Sequence, residues 1–445
     1  MPHSILKNWL GIFTQKKFIA IGLLGFSTGI PYFLTASTLA IWLKSIGYDN
    51  ETIAHYAIAA LPSCVSFLWA PFIDRAPIPY LTQRFGRRRA WLLFSQLGLF
   101  FSLSSFYYAP PSIELAILTS FFAATQQAVM LAYQMERLHK EDYGPGEAIG
   151  VMGGRLGMLL GGAGSLYLSV YMSWEAVYLL MAITVCVGIF TTLCIQEPTP
   201  LINPETLLQE KKIHEYLARQ PKLPRRLNII FSWLYAAVIC PFVDFFSRSG
   251  WLAALGIMFF YKFGDNIIGT MPHMMYLELG YSRTEIADTT KIFGMCTSIA
   301  GGLFGGILIT RIGFNRSLLY FCFLHMIATL MYILTYKYGY NMRVLYASIA
   351  FEHFTAGMRT AALFAYQLTL SNPVYAATQL ALLTSIVNLG RTVFSWFSGT
   401  LVLYLGWIHF YNLAILASIV PLLICLHLMK VNNEFIFPKK ALQIP

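Results

Sequence analysis

Long runs of apolar residues recur along this chain, beginning near Phe18, Ile53, Trp91, Ile113, Ala148, Trp174, Trp251, Thr289, Ser317, Val344, Ala376 and Trp407. Most can cross the roughly 30 Å hydrocarbon core of a bilayer, which takes about 20 residues as a helix. Lipid offers no partner to backbone N–H and C=O groups, so such runs must satisfy their own as helices. An all-α membrane protein of twelve transmembrane helices is expected. Composition sets the same ceiling: 57% of the 445 residues are hydrophobic and 11% charged, against about 45–50% and roughly 25% in a soluble domain. That excludes a soluble cytosolic enzyme.

One long polar connection, Ile195 to Ser249, divides the runs six and six. It carries Lys211, Lys212, Arg219, Lys222, Arg225 and Arg226, punctuated by Pro198, Pro200, Pro204, Pro221 and Pro224. The expected organisation is a six-helix half over 1–195, a cytoplasmic loop with an interfacial helix over 196–249, and a second six-helix half over 250–445. The interfacial helix is placed at 229–243, apolar but short and interrupted by Pro241.

The net charge of +11 would suggest nucleic acid only if the basic residues formed one patch. They sort by side instead. With the N-terminus inside, 22 of the 31 Lys and Arg fall on the cytoplasmic side, four (Lys44, Arg283, Lys337, Arg343) outside and five within or at the ends of spans. Both termini are therefore expected in the cytoplasm, and no nucleic-acid partner is needed. The run from Phe18 to Leu43 is too long for a signal-peptide core, so it is expected to stay as helix 1. Seven cysteines in apolar surroundings lack metal-type spacing and read as small hydrophobes. No metal or cofactor is expected.

A shift of 233 residues brings Gly47-Tyr48 onto Gly280-Tyr281, Ile53-Ala54 onto Ile286-Ala287, and Trp174 and Tyr178 onto Trp407 and Tyr411. This is the internal symmetry of a transporter built from two parallel halves. Glycines at four-residue spacing in helix 5 (Gly150, Gly153, Gly154, Gly157, Gly161, Gly162, Gly164) and helix 8 (Gly301, Gly302, Gly305, Gly306) predict close contact, either a sliding surface between the halves or packing between neighbouring helices. Helix 1 (Gly29, Pro31) and helix 7 (Gly264, Gly269, Pro272) are expected to be interrupted beside the substrate.

An ionisable side chain at mid-membrane costs at least about 2.5 kcal/mol, so each needs a partner, a wet cavity or a function. Arg155 and Arg391 have no acid within one turn of their own helices, and so should meet an anionic ligand or a carboxylate on another helix. Lys262 and Asp265, three apart, can pair on one helical face. Glu352 and His353 are candidates for carrying a proton; alternatively Glu352 pairs permanently with Arg359 or another base and never changes state. As adjacent residues, Glu352 and His353 should point about 100° apart and not serve one site. The loop after helix 2 reads Asp74-Arg75, then Gly86-Arg87-Arg88-Arg89, and could lock the cytoplasmic ends of neighbouring helices by charge pairs.

In order and spacing, Gly29-Ile30-Pro31, Ser37-Thr38-Leu39, the run from Phe67 to Arg75, Ala124-Thr125-Gln126, Arg155 to Leu159, Asp244-Phe245-Phe246, Tyr261 to Asp265, Phe351-Glu352, Gly357-Met358, Ala377-Thr378-Gln379 and Gly390-Arg391 are similar to one family. They resemble the AmpG-type muropeptide permeases of the major facilitator superfamily, related to acetyl-CoA transporters. The resemblance implies a multi-pass protein of the cell inner membrane, acting as a monomer. It would import N-acetylglucosaminyl-anhydromuramyl peptides on the proton motive force for cell-wall recycling. It implies a cavity lined by helices 1, 4, 7 and 10, where Gln126, Gln127, Tyr133 and Tyr32 offer hydrogen bonds and Arg155 and Arg391 attract acidic groups. Asp265, Glu352 and His353 would serve proton coupling, and Lys262, Arg359, Asp74 and Arg75 structural charge pairs.

Helix 4 departs from the family pattern. Where the family carries two aspartates this chain has Gln127 and Leu131, which leaves open a permease for another amphipathic anion with altered or no proton coupling. An intramembrane enzyme would need a motif such as HExxH or GxGD, and neither occurs.

Overall fold

The computed structural model describes residues 15–199, 235–248, 250–269 and 271–430. Within them the chain makes twelve helical passes, and every regular element is a helix. We label them α1 (Lys16–Ser45), α2 (short pieces from Asn50–His55 to Ala70–Arg75), α3 (Arg87–Tyr108), α4 (Ile113–Arg137), α5 (Tyr143–Leu159 continuing to Ser165–Leu168) and α6 (Trp174–Cys194) in the first half. The second half contains α7 (Trp251–Glu278), α8 (Thr284–Ile312), α9 (Phe314–Tyr338), α10 (Met342–Leu370), α11 (Ala376–Trp396) and α12 (Ser398–Met429). Eight of the passes are, by length and composition, apolar enough to cross a membrane alone. The other four are α2, α5, α10 and α11, which the broken backbone, glycines or buried polar residues make less apolar.

The repeat extends further than the three matches that announced it. Shifting the first residue of α5, Tyr143, by the same 233 positions gives Ala376, the first residue of α11. α12 bends at Gly406 (φ 68°), so its main segment starts at Trp407, the counterpart of Trp174 at the start of α6.

The breaks fall close to their expected places. α7 unwinds at Tyr261 and Lys262 and again at Gly269. α1 runs straight through Pro31 and breaks four residues later, where Thr35 donates both its N–H and its hydroxyl back to the Pro31 carbonyl. A proline leaves the carbonyl one turn earlier without its donor, and a buried bundle tolerates that loss. Of the interfacial helix at 229–243, positions 229–234 lie outside the described residues. The described part is helical over Tyr235–Ile239 and Cys240–Phe246, and Gln379 Nε2 donates to the Pro241 carbonyl (3.0 Å) and to Asp244 (2.8 Å).

The glycine stripes bind helices within each half, with one exception. A Cβ on Gly153 would stand 1.9 Å from the Gly22 carbonyl oxygen, on Gly157 2.1 Å from that of Phe26, and on Gly29 2.0 Å from that of Gly154, so α5 lies backbone to backbone on α1. In the second half Gly301 and Gly357 bring α8 against α10 in the same way. Among the described glycines, Gly144 with Gly306 joins the halves, where α5 packs on α8. Most of the stripe therefore serves packing within a half, because small residues let membrane helices approach where no hydrophobic drive brings them together.

Gly153→Ala should lower the melting temperature of the purified protein measurably, the expected overpacking cost being about 1–3 kcal/mol. Gly154→Ala, whose Cβ would sit 3.6 Å from the nearest atom, should melt like the wild type. Equal melting of the two variants would refute the backbone contact.

Candidate functional site: buried charges between the two halves

The polar interior divides into four groups. The first is a clamp at the end of the bundle that carries the α2–α3 loop. Asp74, 1% exposed, accepts from the backbone N–H of Ala377 (3.0 Å) and Thr378 (2.8 Å) and from the Thr378 hydroxyl (2.7 Å). Those amides open α11 and have no partner inside their own helix, so a carboxylate of one half caps a helix of the other. Arg88, fully buried, bonds Asp74 (2.9 Å) and Glu136 of α4 (2.6 Å), while Arg87 reaches the Asp74 carbonyl and Glu136. Arg75 stacks on Tyr375. Glu197, just past α6, receives the N–H groups of Arg88 (2.7 Å) and Arg89 (3.0 Å). Its side chain fills the space beside Gly86, whose φ of 87° and lack of a Cβ let the chain turn there.

The seam between α2 and α11 continues inward from this clamp. Ser66 and Ser385 hydroxyls lie 3.4 Å apart, and Asn388 donates to the Ser63 carbonyl. Between them a narrow cleft with only about 10 Å³ of free volume is lined by Ser63, Ser66, Ala124, Gln127, Ala128, Leu131, Ala381 and Thr384.

The third group is a network in the second half. Asp265 of α7 accepts from Arg359 of α10 at 3.0 and 3.1 Å and lies 2.7 Å from Nε2 of His325 in α9. Nδ1 of His325 lies 2.7 Å from the Thr355 hydroxyl of α10. Arg359 also donates to the Tyr261 carbonyl and sits over the Tyr261 ring. Lys262 donates to Thr360 (2.9 Å). The expected Lys262–Asp265 pair is therefore not formed: α7 unwinds between them, so they no longer share a helical face, and Asp265 takes its cations from two other helices. Nor does Glu352 pair with Arg359, which Asp265 claims.

The fourth group faces the first half. Glu352 stands 3.4 Å from His353 Nε2, so these neighbours do meet, the flexible carboxylate arm spanning the angle between them. Across the halves, Glu352 and His353 of α10 lie near Arg155 of α5. The Nε of Arg155 has no acceptor among the described residues. Further along, Arg391 of α11 donates to the Tyr32 hydroxyl of α1 (2.5 Å) and lies over its ring, both side chains being exposed.

Two of the anticipated hydrogen-bonding residues are placed elsewhere. Gln126 is fully buried between α1 and α4, donating to Ser27 (2.9 Å), and Tyr133 donates to the Gln196 carbonyl at the clamp end. Only Gln127 of that trio lines the cleft. His325, Glu136 and Glu197 were missed. His325 stands in an apolar run, Cys322-Phe323-Leu324-His325-Met326, and the test applied to the other buried charges would have found it.

Comparison with known proteins agrees with this architecture. Residues 21–335 match the family model described as Major Facilitator Superfamily. The chain is 33% identical over 448 residues to the anhydromuropeptide permease of Escherichia coli, covering 96% of this chain and 84% of that protein. It is 31% identical over 396 residues to a transporter named AmpG 2 of Rickettsia bellii, covering 87% and 90%. Among solved structures the proton:xylose symporter XylE superposes with a TM-score of 0.67 at 12% identity, covering 93% of this chain and 95% of that one.

The seam is testable by cross-linking. Ser66→Cys with Ser385→Cys should form a disulfide under mild oxidation, and adding Asp74→Ala should lower its yield severalfold by releasing the cap on α11. An undiminished yield would show that Asp74 does not hold the halves together.

Proposed function

Because the chain belongs to the major facilitator superfamily, and within it to the AmpG-type permeases, we propose that it imports anhydromuropeptides for cell-wall recycling by proton symport. It is a transporter and not an enzyme, a multi-pass protein of the inner membrane. In this reading both termini face the cytoplasm, as the 22-to-four sorting of basic residues favours, and the monomer is the working unit.

The observation that carries the reading is Arg155. A half-buried guanidinium that has its Nε–H unpartnered and no carboxylate bonded to it among the described residues is costly unless an anion joins it during the cycle. The peptide carboxylates of a muropeptide are such anions, and a fork of N–H donors suits them. Arg391 and Tyr32, exposed at the other end of the α1–α11 contact, are the first charge and ring that a substrate from the periplasm would meet. Proton coupling then falls to the second half, to Asp265, Glu352 and His353, since the cleft by α4 offers only Gln127 and Leu131 where acids would serve. Rocking of the halves would break the Asp74 clamp on α11 and make it again at the end of each cycle.

That same α4 surface favours a second reading, a permease for a different amphipathic anion. Gln127→Asp with Leu131→Asp should alter coupling only if the protein already moves muropeptides with protons.

Right-side-out vesicles or proteoliposomes with an imposed pH gradient, acid outside, should accumulate labelled anhydromuropeptide, and Arg155→Ala should reduce uptake about tenfold or more, as loss of an ionic contact does. Gradient-independent or absent uptake by the wild type would sink the symport reading.

A further inference from the structure

The His325 ring is 1% exposed and has an oxygen 2.7 Å from each nitrogen: Thr355 Oγ1 at Nδ1 and Asp265 Oδ1 at Nε2. A neutral imidazole carries one N–H, a hydroxyl one, and an ionised carboxylate none. The Thr355 hydroxyl has a second choice, since the carbonyls of Phe351 (3.0 Å) and Glu352 (2.9 Å) are also in reach. When Thr355 donates to Nδ1, the ring is neutral and its Nε2–H goes to Asp265. When the hydroxyl turns to its own helix, Nδ1–H must donate to Thr355 and Nε2 still needs a hydrogen to meet Asp265. The site then holds one more proton. Both states are fully hydrogen-bonded, and rotation of a single hydroxyl separates them.

We propose that His325, in contact with Asp265 and switched by the Thr355 hydroxyl, is a further proton site of symport beside Asp265, Glu352 and His353. This rests on the transport reading above. One proton from solution adds to the ring, no covalent bond breaks, and the cluster gains one positive charge. The groups that face it fix the consequence. Asp265 does so from α7 and Thr355 and Glu352 from α10, while Arg359 and Lys262 reach it through Asp265. Asp265 already holds Arg359 and lies near Lys262, so a charged His325 leaves a cationic excess beside Glu352 and Arg155. An anionic substrate is drawn to the loaded site, which is the order that symport requires. Thr355 is a positioning residue, acting through the ring.

The test uses the full-length protein in proteoliposomes with labelled anhydromuropeptide. His325→Gln should lose pH-gradient-driven accumulation at least tenfold while exchanging labelled for unlabelled substrate, at equal pH, within threefold of the wild type. Thr355→Val should move half-maximal accumulation at least half a unit to lower pH, because the charged ring loses one of its two bonds, and an unmoved profile would overturn the switch. Normal accumulation by His325→Gln would overturn the proposal. So would joint loss of accumulation and exchange in a monodisperse His325→Gln, which marks a structural residue. Should the wild type exchange no anhydromuropeptide, the substrate reading fails, and the infrared difference between wild type and His325→Gln across a pH titration decides this inference separately. A titrating imidazole band supports it and its absence overturns it.

Discussion

An arginine inside an apolar bundle brings five N–H donors that lipid cannot satisfy, and the interior of this protein is arranged around that demand. Arg88 meets it with Asp74, Glu136 and the Ile73 carbonyl, tying α2, α3 and α4 into one block. Arg359 meets it with Asp265 and the Tyr261 carbonyl, and so fixes the point where α7 unwinds. Arg155 and Arg359 each keep an unpartnered Nε–H, but Arg359 is otherwise held by Asp265 and the Tyr261 carbonyl, whereas among the described residues no carboxylate bonds Arg155. Arg88 and Arg359 hold structure, and Arg155 is where a ligand has something to add.

The halves repeat in sequence but not in the chemistry of their joints. Asp74 caps α11, whereas the corresponding loop after α8 reads Thr310-Arg311-Ile312-Gly313-Phe314 and offers no acid to α5. On that side the halves meet by the bare approach of Gly144 and Gly306. One joint is therefore electrostatic and reversible at the cost of exposing a carboxylate and two amides, while the other is steric and needs nothing undone. The linker helix reinforces the electrostatic side, since Asp244 reaches Gln379 and Asn372 at the start of α11 and pairs with Arg248.

Much of this was legible in the sequence, for reasons that differ by level. The twelve passes and their division follow from hydropathy, a property each residue carries by itself. The broken α7 was visible because Gly264, Gly269 and Pro272 act locally. Pairing was not. Lys262 and Asp265 have the spacing of an ion pair only if the helix between them is intact, and nothing local reports that Tyr261 gives its carbonyl to Arg359 almost a hundred residues away. The glycine stripes were legible as contact but not as contact with whom: spacing marks a face, and only the fold says that the face of α5 belongs to α1. Gln126 and Tyr133 failed for the same reason, since a polar residue on an apolar helix can face a cavity or a neighbouring hydroxyl.

The backbone contact of α1 on α5 has a mechanical meaning. Side chains packed on side chains can settle into alternative rotamers and absorb a displacement; a glycine Cα against a carbonyl oxygen has no such freedom. From Gly153 to Gly161 this contact runs about 12 Å at 1.5 Å per residue, with Tyr32 near one end of the pair and the Gly144–Gly306 touch at the other. The two helices are held to one another without side-chain play, so a displacement of one cannot be absorbed at this contact and must be carried by the other.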